Sequence, residues 1–504
     1  MAGTNITRDE AGKRSEIVKV ASYDIALDLS TREDTFRSET TVRFSGVAGA
    51  ETWIDYVAPS VESISLNGQA VDPSAHDGFR IALGGLAADN TLVVVGNSAY
   101  MNTGEGLHRF IDPVDDEVYL YTQFEIADAR RVFPCFDQPD QKAVYTFTVK
   151  APAHWKVISN APTPEPKPIA DGISQWDFPT TELMSTYITA IVAGPYYEVR
   201  DEYVGKYGTY PLGLFCRNSL SQYLDPEDLF TVTKQGFEYF ESAFETAYPF
   251  HKYDQLFVPE FNAGAMENAG AVTFHEDLVF RSKVTRLYYE QRANTVLHEM
   301  AHMWFGDLVT MKWWDDLWLN ESFAEFAAHD ASSRATQYTE AWTSFVNQRK
   351  AWGYRQDQLP TTHPIVADMV DLDAVEVNFD GITYAKGAST LRQLVAWVGH
   401  DKFLAGLREY FKKHAWGNTE LKDLLVELEA ASGRELKDWT VRWLQTAGVN
   451  TLRPEIVVAD GKYQSVAVLQ EPPVAPEGVA QTLRPHRIRI GLYQASDTDV
   501  TRIE

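Results

Sequence analysis

Between residues 18 and 200, apolar side chains alternate with polar or small ones over short spans. Tyr23, Ile25, Leu27 and Leu29 occupy every second position, as do Tyr145, Phe147 and Val149, and residues 91–95 form a short β-branched run. A period of two puts such residues on one face of a strand. Clusters of Gly, Pro, Asn and Asp separate the segments. Long helical patterns do not intervene, so residues 1–200 predict a large antiparallel saddle or sandwich rather than βαβ units.

After about residue 220 the period changes. Asp225-Pro226 pairs a capping residue with a proline suited to the first helical position. Leu229, Phe230, Phe237, Phe240 and Phe244 follow at mostly helical spacing, and Pro249 ends the run. Residues 387–398 and 421–431 read as further helices, and the chain is mainly helical to about residue 446. The last sixty residues return to strand patterns at 455–458, 463–469 and 487–493, with Pro472, Pro473 and Pro476 marking a loop and Val500 opening another strand. The expected fold is multidomain α+β: an N-terminal antiparallel β-saddle over 1–200, a mainly helical domain over 201–446, and the start of a small β-sandwich over 447–504. So few strands make a poor free-standing unit, and the third domain is expected to be partial.

A formal net charge of −26 argues against a general nucleic-acid partner, which would need a basic face. The acidic excess is spread along the chain, which suits solubility, and it mildly favours substrates bearing an amino group. Two cysteines, Cys135 and Cys216, make no disulfide framework and predict free thiols in a reducing compartment. Residues 1–17 are polar, and no run of eighteen apolar residues occurs. The expectation is a cytoplasmic protein with neither signal peptide nor membrane span.

The densest chemistry lies in His298-Glu299-Met300-Ala301-His302, followed after eighteen residues by Glu321. Residues 293–305 contain no Gly or Pro, while Val296, Leu297, Met300, Met303 and Trp304 supply apolar helix surface and Gly306 offers a stop. Residues four apart on a helix sit about 40° apart around its axis. His298 and His302 can therefore share a metal ion, and Glu321, on a second helix read over 320–328, would complete three protein ligands. Three ligands and an open fourth position make a catalytic zinc site. Glu299 lies beside that face, where a carboxylate can take a proton from water. His275-Glu276 imitates the motif, but four residues on from His275 stands Val279, which cannot ligate.

Three other segments suit a peptide substrate. Gly264-Ala265-Met266-Glu267-Asn268 combines small residues, able to form an extended edge that pairs with a substrate chain, with an acid able to grip an α-amino group. Glu125, two residues after Gln123, offers a second carboxylate from the first domain. Tyr384 offers a phenol that can donate to a developing oxyanion.

Taken together, G-A-M-E-N, H-E-x-x-H-x18-E, the run Trp304-Phe305-Gly306-Asp307 and Trp313 to Glu321, and the later Tyr384 resemble the aminopeptidase N family of zinc metallopeptidases, the M1 gluzincins. The resemblance implies a β-saddle, a thermolysin-like catalytic domain and a small β-sandwich, in that order. It implies a zinc aminopeptidase that hydrolyses the N-terminal peptide bond by metal-activated water. His298, His302 and Glu321 would bind one Zn2+, and Glu299 would be the general base. Glu267 and Glu125 would hold the substrate α-amine, with Gln123 lining the first side-chain pocket and residues 264–268 forming the substrate edge. Tyr384 would stabilise the tetrahedral intermediate, and Glu325 would brace a ligand. The expected partners are peptides with a free N-terminus, met by a monomer. Family members of this plan continue into a helical C-terminal domain, so the chain reads as shortened. An epoxide-opening relative with the same zinc core is disfavoured by the β-segments after residue 450, and an inert scaffold by the full ligand set.

Overall fold

A computed structural model describes residues 3–30, 34–496 and 498–502. The predicted α+β mixture forms, with strands dominating the first two hundred residues and helices the next two hundred and fifty. Strand Val18–Asp28 buries Tyr23, Ile25 and Leu27 on one face, as the alternation requires. It pairs antiparallel with Thr35–Gly46 and parallel with Val144–Pro152. More than a hundred residues separate the parallel partners, so no hairpin dictates their direction. The twelve-stranded sheet is therefore mixed, with antiparallel pairing dominant. From Thr35–Gly46 it runs through Asp89–Met101 and Gly106–Ile111 to Val118–Gln123, whose last residue lines a cleft around His298 and Glu321.

Helix Arg8–Ile17 has no apolar period to announce it. Its start is written in Thr7-x-x-Glu10, a capping box in which Glu10 N donates to Thr7 Oγ1 at 3.1 Å and Thr7 N to Glu10 Oε2 at 2.9 Å.

The segment expected to be mainly helical also contains a sheet of five strands. Tyr253–Val258 and Ala271–His275 run parallel in its interior, and Ala265–Met266 forms one edge. All six residues of Tyr253–Val258 are buried. A strand covered on both faces does not alternate, so period two is silent there. Helix Pro226–Phe244 begins at Asp225 with Pro226 in its first turn, as predicted, and packs on helix Arg286–His302. A Cβ on Gly236 would lie 2.6 Å from Leu297 Cδ2 and 2.8 Å from Met300 Sδ, so the two helices touch backbone to side chain.

Helix Arg286–His302 stops three residues short of the predicted end. The chain turns through Met303, Trp304 and Phe305 into Gly306, which has φ +121°; a Cβ there would also sit 2.2 Å from Asn320 Oδ1. A side chain at 306 is excluded by both conformation and space. Helix Trp318–Ala335 follows, longer than predicted at both ends.

At the C-terminal side, Thr451–Ala459 pairs with Lys462–Glu471, and Tyr493–Ala495 with Val500–Arg502. These are separate hairpins, not two packed sheets. The strand predicted over 487–493 does not form; the strand begins at Tyr493. Ile488 and Ile490 are 45% and 53% exposed, so their alternation with arginine has no core to face. Among the described residues, no helix is long and apolar enough to cross a membrane.

Candidate active site

His298 and His302 occupy the last turns of Arg286–His302, and Glu321 the first turn of Trp318–Ala335. The turn at Gly306 folds the second helix back against the first. Glu321 Oε2 then lies 3.2 Å from His298 Nε2 and 3.5 Å from His302 Nε2. A tetrahedral ion with bonds of about 2.0–2.1 Å spaces its ligand atoms roughly 3.3–3.4 Å apart. Two imidazole nitrogens and one carboxylate oxygen at these separations fit a zinc ion, and all three side chains are buried.

Each histidine is braced from behind. His302 Nδ1 lies against Asn320 Oδ1 and 3.1 Å from Phe305 O, which leaves Nε2 as the free lone pair. His298 Nδ1 lies 3.5 Å from Glu325 Oε2. Glu325 in turn accepts from Arg349 Nε at 2.7 Å and Arg349 Nη2 at 2.8 Å. Burial works to lower the His298 pKa, but the carboxylates of Glu321 and Glu325 outweigh it and bring it up to about 9. Burial works to raise Glu321, and the two histidines overcome it and hold it at about 2. The carboxylates of the cluster thus favour positive charge at this position.

Glu299 is 5% exposed, and burial pushes its carboxyl up to about 8 against the pull of His298 and His302. A divalent cation among its neighbours pulls it back toward the carboxylate form.

The cluster opens into a cleft of about 760 Å³ whose walls include Gln123, Glu125, Met266, Glu267, Arg349 and Tyr384. Gln123 ends the strand Val118–Gln123, and its Nε2 lies 3.5 Å from Met266 Sδ. Gly264, Ala265, Met266 and Glu267 line the opposite wall, with Ala265–Met266 as the edge strand. Asn268 is fully buried behind them, its Nδ2 donating to Thr273 Oγ1 at 3.2 Å. Ala269 N donates to Ile188 O at 3.2 Å, and Asn160 Nδ2 bridges Ile188 O and Ala269 O. These bonds fix the Glu267 loop relative to the sheet whose strand Val118–Gln123 leads into the turn carrying Glu125.

Oxygens of Glu125, Glu267 and Glu321 lie within 4.8 Å of one another. Burial, then the charges of Glu267 and Glu321, drive Glu125 well above the usual carboxylate range, and its buried Oε1 has no hydrogen-bond partner among the described residues. Asn320 Nδ2 donates to Glu267 Oε1 at 2.8 Å.

Tyr384 sits in the turn Ile382–Lys386, its ring 6.0 Å from that of His298. Ser322, next to Glu321, donates to Thr383 O at 2.6 Å and pins this turn to the metal-ligand helix. Burial and the surrounding carboxylates hold the phenol protonated, hence a donor. The false motif at His275 is elsewhere engaged, with Glu276 held by Arg217 at 2.7 Å.

The structure therefore gathers every sequence-nominated site residue around one cleft, except Asn268, which supports the wall. Sequence reasoning missed Asn320 and Arg349. Asn320 stands next to Glu321, which is the one local signal it carries, while Arg349 carries none.

A family profile described as "Peptidase M1 N-terminal domain" matches residues 19–188, and one described as "Peptidase family M1 domain" matches residues 229–443. The chain is 58% identical to "Aminopeptidase N" of Streptomyces lividans over 98% of its length and 58% of that protein's. It is 32% identical to "Tricorn protease-interacting factor F2" of Thermoplasma acidophilum, over 85% of this chain and 53% of that one. Identity to "Leucyl aminopeptidase" of Saccharolobus solfataricus is also 32%, over 87% of this chain and 55% of that one. The chain thus spans a little over half the length of these relatives.

Proposed function

The chain belongs to peptidase family M1, and from that premise we propose that it is a zinc-dependent aminopeptidase that removes the N-terminal residue of peptides. His298, His302 and Glu321 hold the ion. Bound there, zinc would supply Lewis acidity toward a carbonyl oxygen and toward water. The remaining work falls to side chains of this protein. Glu267 and Glu125 take the substrate α-ammonium between them. The edge Ala265–Met266 pairs with the substrate backbone, and Gln123 and Met266 border the first side-chain pocket. Glu299 removes a proton from the attacking water and returns it to the leaving amine. Tyr384 donates its hydroxyl hydrogen to the carbonyl oxygen as negative charge builds on it.

The observation that carries this reading is the convergence of Glu125, Glu267 and Glu321 oxygens within 4.8 Å. A buried group of carboxylates beside a metal-ligand set calls for a second cation, and an α-ammonium one residue from the scissile bond meets that need. Two of the relatives bear the name aminopeptidase, which supports the same activity. The division into domains at 1–200, 201–446 and 447–504 belongs to the proposal, as do a monomeric state and a cytoplasmic location; the two buried free cysteines agree with the latter.

The test is metal analysis of the purified protein with turnover of alanyl and leucyl arylamides before and after chelation. One zinc per chain, activity lost on chelation and restored by zinc, is the expected result. Turnover indifferent to chelation would overturn the assignment.

A further inference from the structure

Arg349 lies on the short helix Arg349–Gln356, in contact with two parts of the site at once. Its guanidinium grips both oxygens of Glu325, at 2.7 and 2.8 Å, and the Glu325 side chain is only 2% exposed. Glu325 Oε2 lies 3.5 Å from His298 Nδ1. The same guanidinium stands 4.8 Å from the ring centre of Trp352 and 5.8 Å from that of Tyr384. Tyr384 is stacked between Trp352 at 6.2 Å and His298 at 6.0 Å, with interplanar angles of 25° and 27°. Beneath this stack, Gly353 lets the helix approach the Tyr384 turn closely; a Cβ there would lie 3.2 Å from Lys386 N and 3.3 Å from Gly381 O.

We propose that Arg349 is a positioning residue for the reaction: through Glu325 it sets the tautomer and ring plane of His298, and through the aromatic stack it sets the direction of the Tyr384 hydroxyl. The bidentate grip leaves Glu325 one orientation, which a single-point cation could not impose. Glu325 Oε2, 3.5 Å from His298 Nδ1, is placed to accept from Nδ1–H, the tautomer that would leave the Nε2 lone pair for an ion. Rotation of Tyr384 would separate its ring from Trp352, from the Arg349 guanidinium and from the His298 imidazole. One side chain outside the ligand set thereby aligns both a ligand and the oxyanion donor. Arg349 touches neither the ligand atoms nor the reacting carbonyl, so its effect is exerted through these two partners. The inference rests on His298 being a metal ligand.

The test uses the full chain as parent, Arg349→Gln and Arg349→Lys, each checked for folding by circular dichroism. Zinc affinity is read by competition with a chromophoric chelator, and kcat and KM by alanyl arylamide turnover at saturating zinc. Arg349→Gln is expected to weaken zinc binding about 10- to 100-fold and to lower kcat with KM within about twofold of the parent, since the substrate clamp is untouched. Arg349→Lys keeps charge without the two-point grip and should fall between the two. If Arg349→Gln fails to fold because it strands a buried carboxylate, the double variant Glu325→Gln/Arg349→Gln removes both charges and should lose zinc affinity to the same extent. Parental zinc affinity and parental kcat in whichever of these variants folds would overturn the proposal. A parent that takes up no zinc would overturn the metal assignment and this inference with it, a failure distinguishable because it appears before any substitution.

Discussion

Replacing Glu267 by Gln separates charge from shape at the proposed amine clamp. Glu267 is 2% exposed, and its Oε1 accepts from Asn320 Nδ2 at 2.8 Å. A glutamine carbonyl can take the place of Oε1 and keep that bond, so Asn320 stays where it supports His302. What is lost is one of the two negative charges that face the α-ammonium, whose own charge draws the raised Glu125 carboxyl back to its ionised form. A hydrogen bond to a charged group contributes about 1.5–3 kcal/mol, and each 1.4 kcal/mol is about tenfold. The kcat/KM for a free-amine arylamide should therefore fall roughly 10- to 150-fold. Glu125→Gln should fall in the same range, and the double variant by less than the product, because both carboxylates hold one ammonium. The assay is steady-state hydrolysis of an alanyl peptide and its N-acetylated analogue, with zinc content measured in parallel. The parent should reject the acetylated substrate and zinc should stay bound in every variant. Equal kcat/KM on the two substrates in the parent, or no change in Glu267→Gln, would refute the clamp.

Glu299→Gln should lower kcat by about 10²- to 10⁴-fold while retaining one zinc per chain, which activity and metal analysis together would establish. Tyr384→Phe should lower kcat by about 10²- to 10³-fold with KM little changed, as the ring stays packed and only the donor is lost. In Gly387→Ala the new Cβ would start 1.9 Å from Ser322 Oγ; overpacking of about 1–3 kcal/mol should lower the unfolding temperature, and displacement of Ser322 from Thr383 should lower kcat. Burial pushes the Asp316 carboxyl up to about 6 from 3.8, against bonds from Leu421 N and Trp318 Nε1. The folded state then holds the proton more tightly, so this stabilisation is full below about pH 4 and is lost as pH rises through about 6. Asp316→Asn should flatten the decline in unfolding free energy over that window by up to about 1.4 kcal/mol per pH unit, measured as melting temperature against pH in parent and variant.

What could be read from the chain depended on how local the cause was. Gly387–Val398 was readable to the residue because its apolar period and its Gly399 exit are both local. Pro226–Phe244 was announced by Asp225 and its following proline. Tyr253–Val258 was not, since full burial on two faces erases alternation. Over 487–490 the pattern misled in the opposite direction: an Arg-Ile alternation looked like a strand, yet among the described residues no neighbouring strand or core stands beside it. Pattern predicts a strand only where something is present to pair with it.

The same distinction runs through the site. Helical geometry alone set His298 beside His302, and the connection through Gly306, the short strand Thr310–Met311 and Trp314–Asp316 brought in Glu321. The position of Glu267 relative to Glu125 has no such local cause; it depends on Asn160 and Ile188 joining two distant stretches of chain. The side chain that binds the halves together is Asn320, whose amide donates to Glu267 and whose oxygen meets His302 Nδ1. On the proposed reading, one amide thus spans from the amine clamp to a metal ligand. The distance from the held ammonium to the scissile carbonyl is then set by a rigid planar group on a buried helix, not by a mobile loop. An enzyme measured out in this way would remove one residue at a time, because a longer overhang places no charge between Glu125 and Glu267.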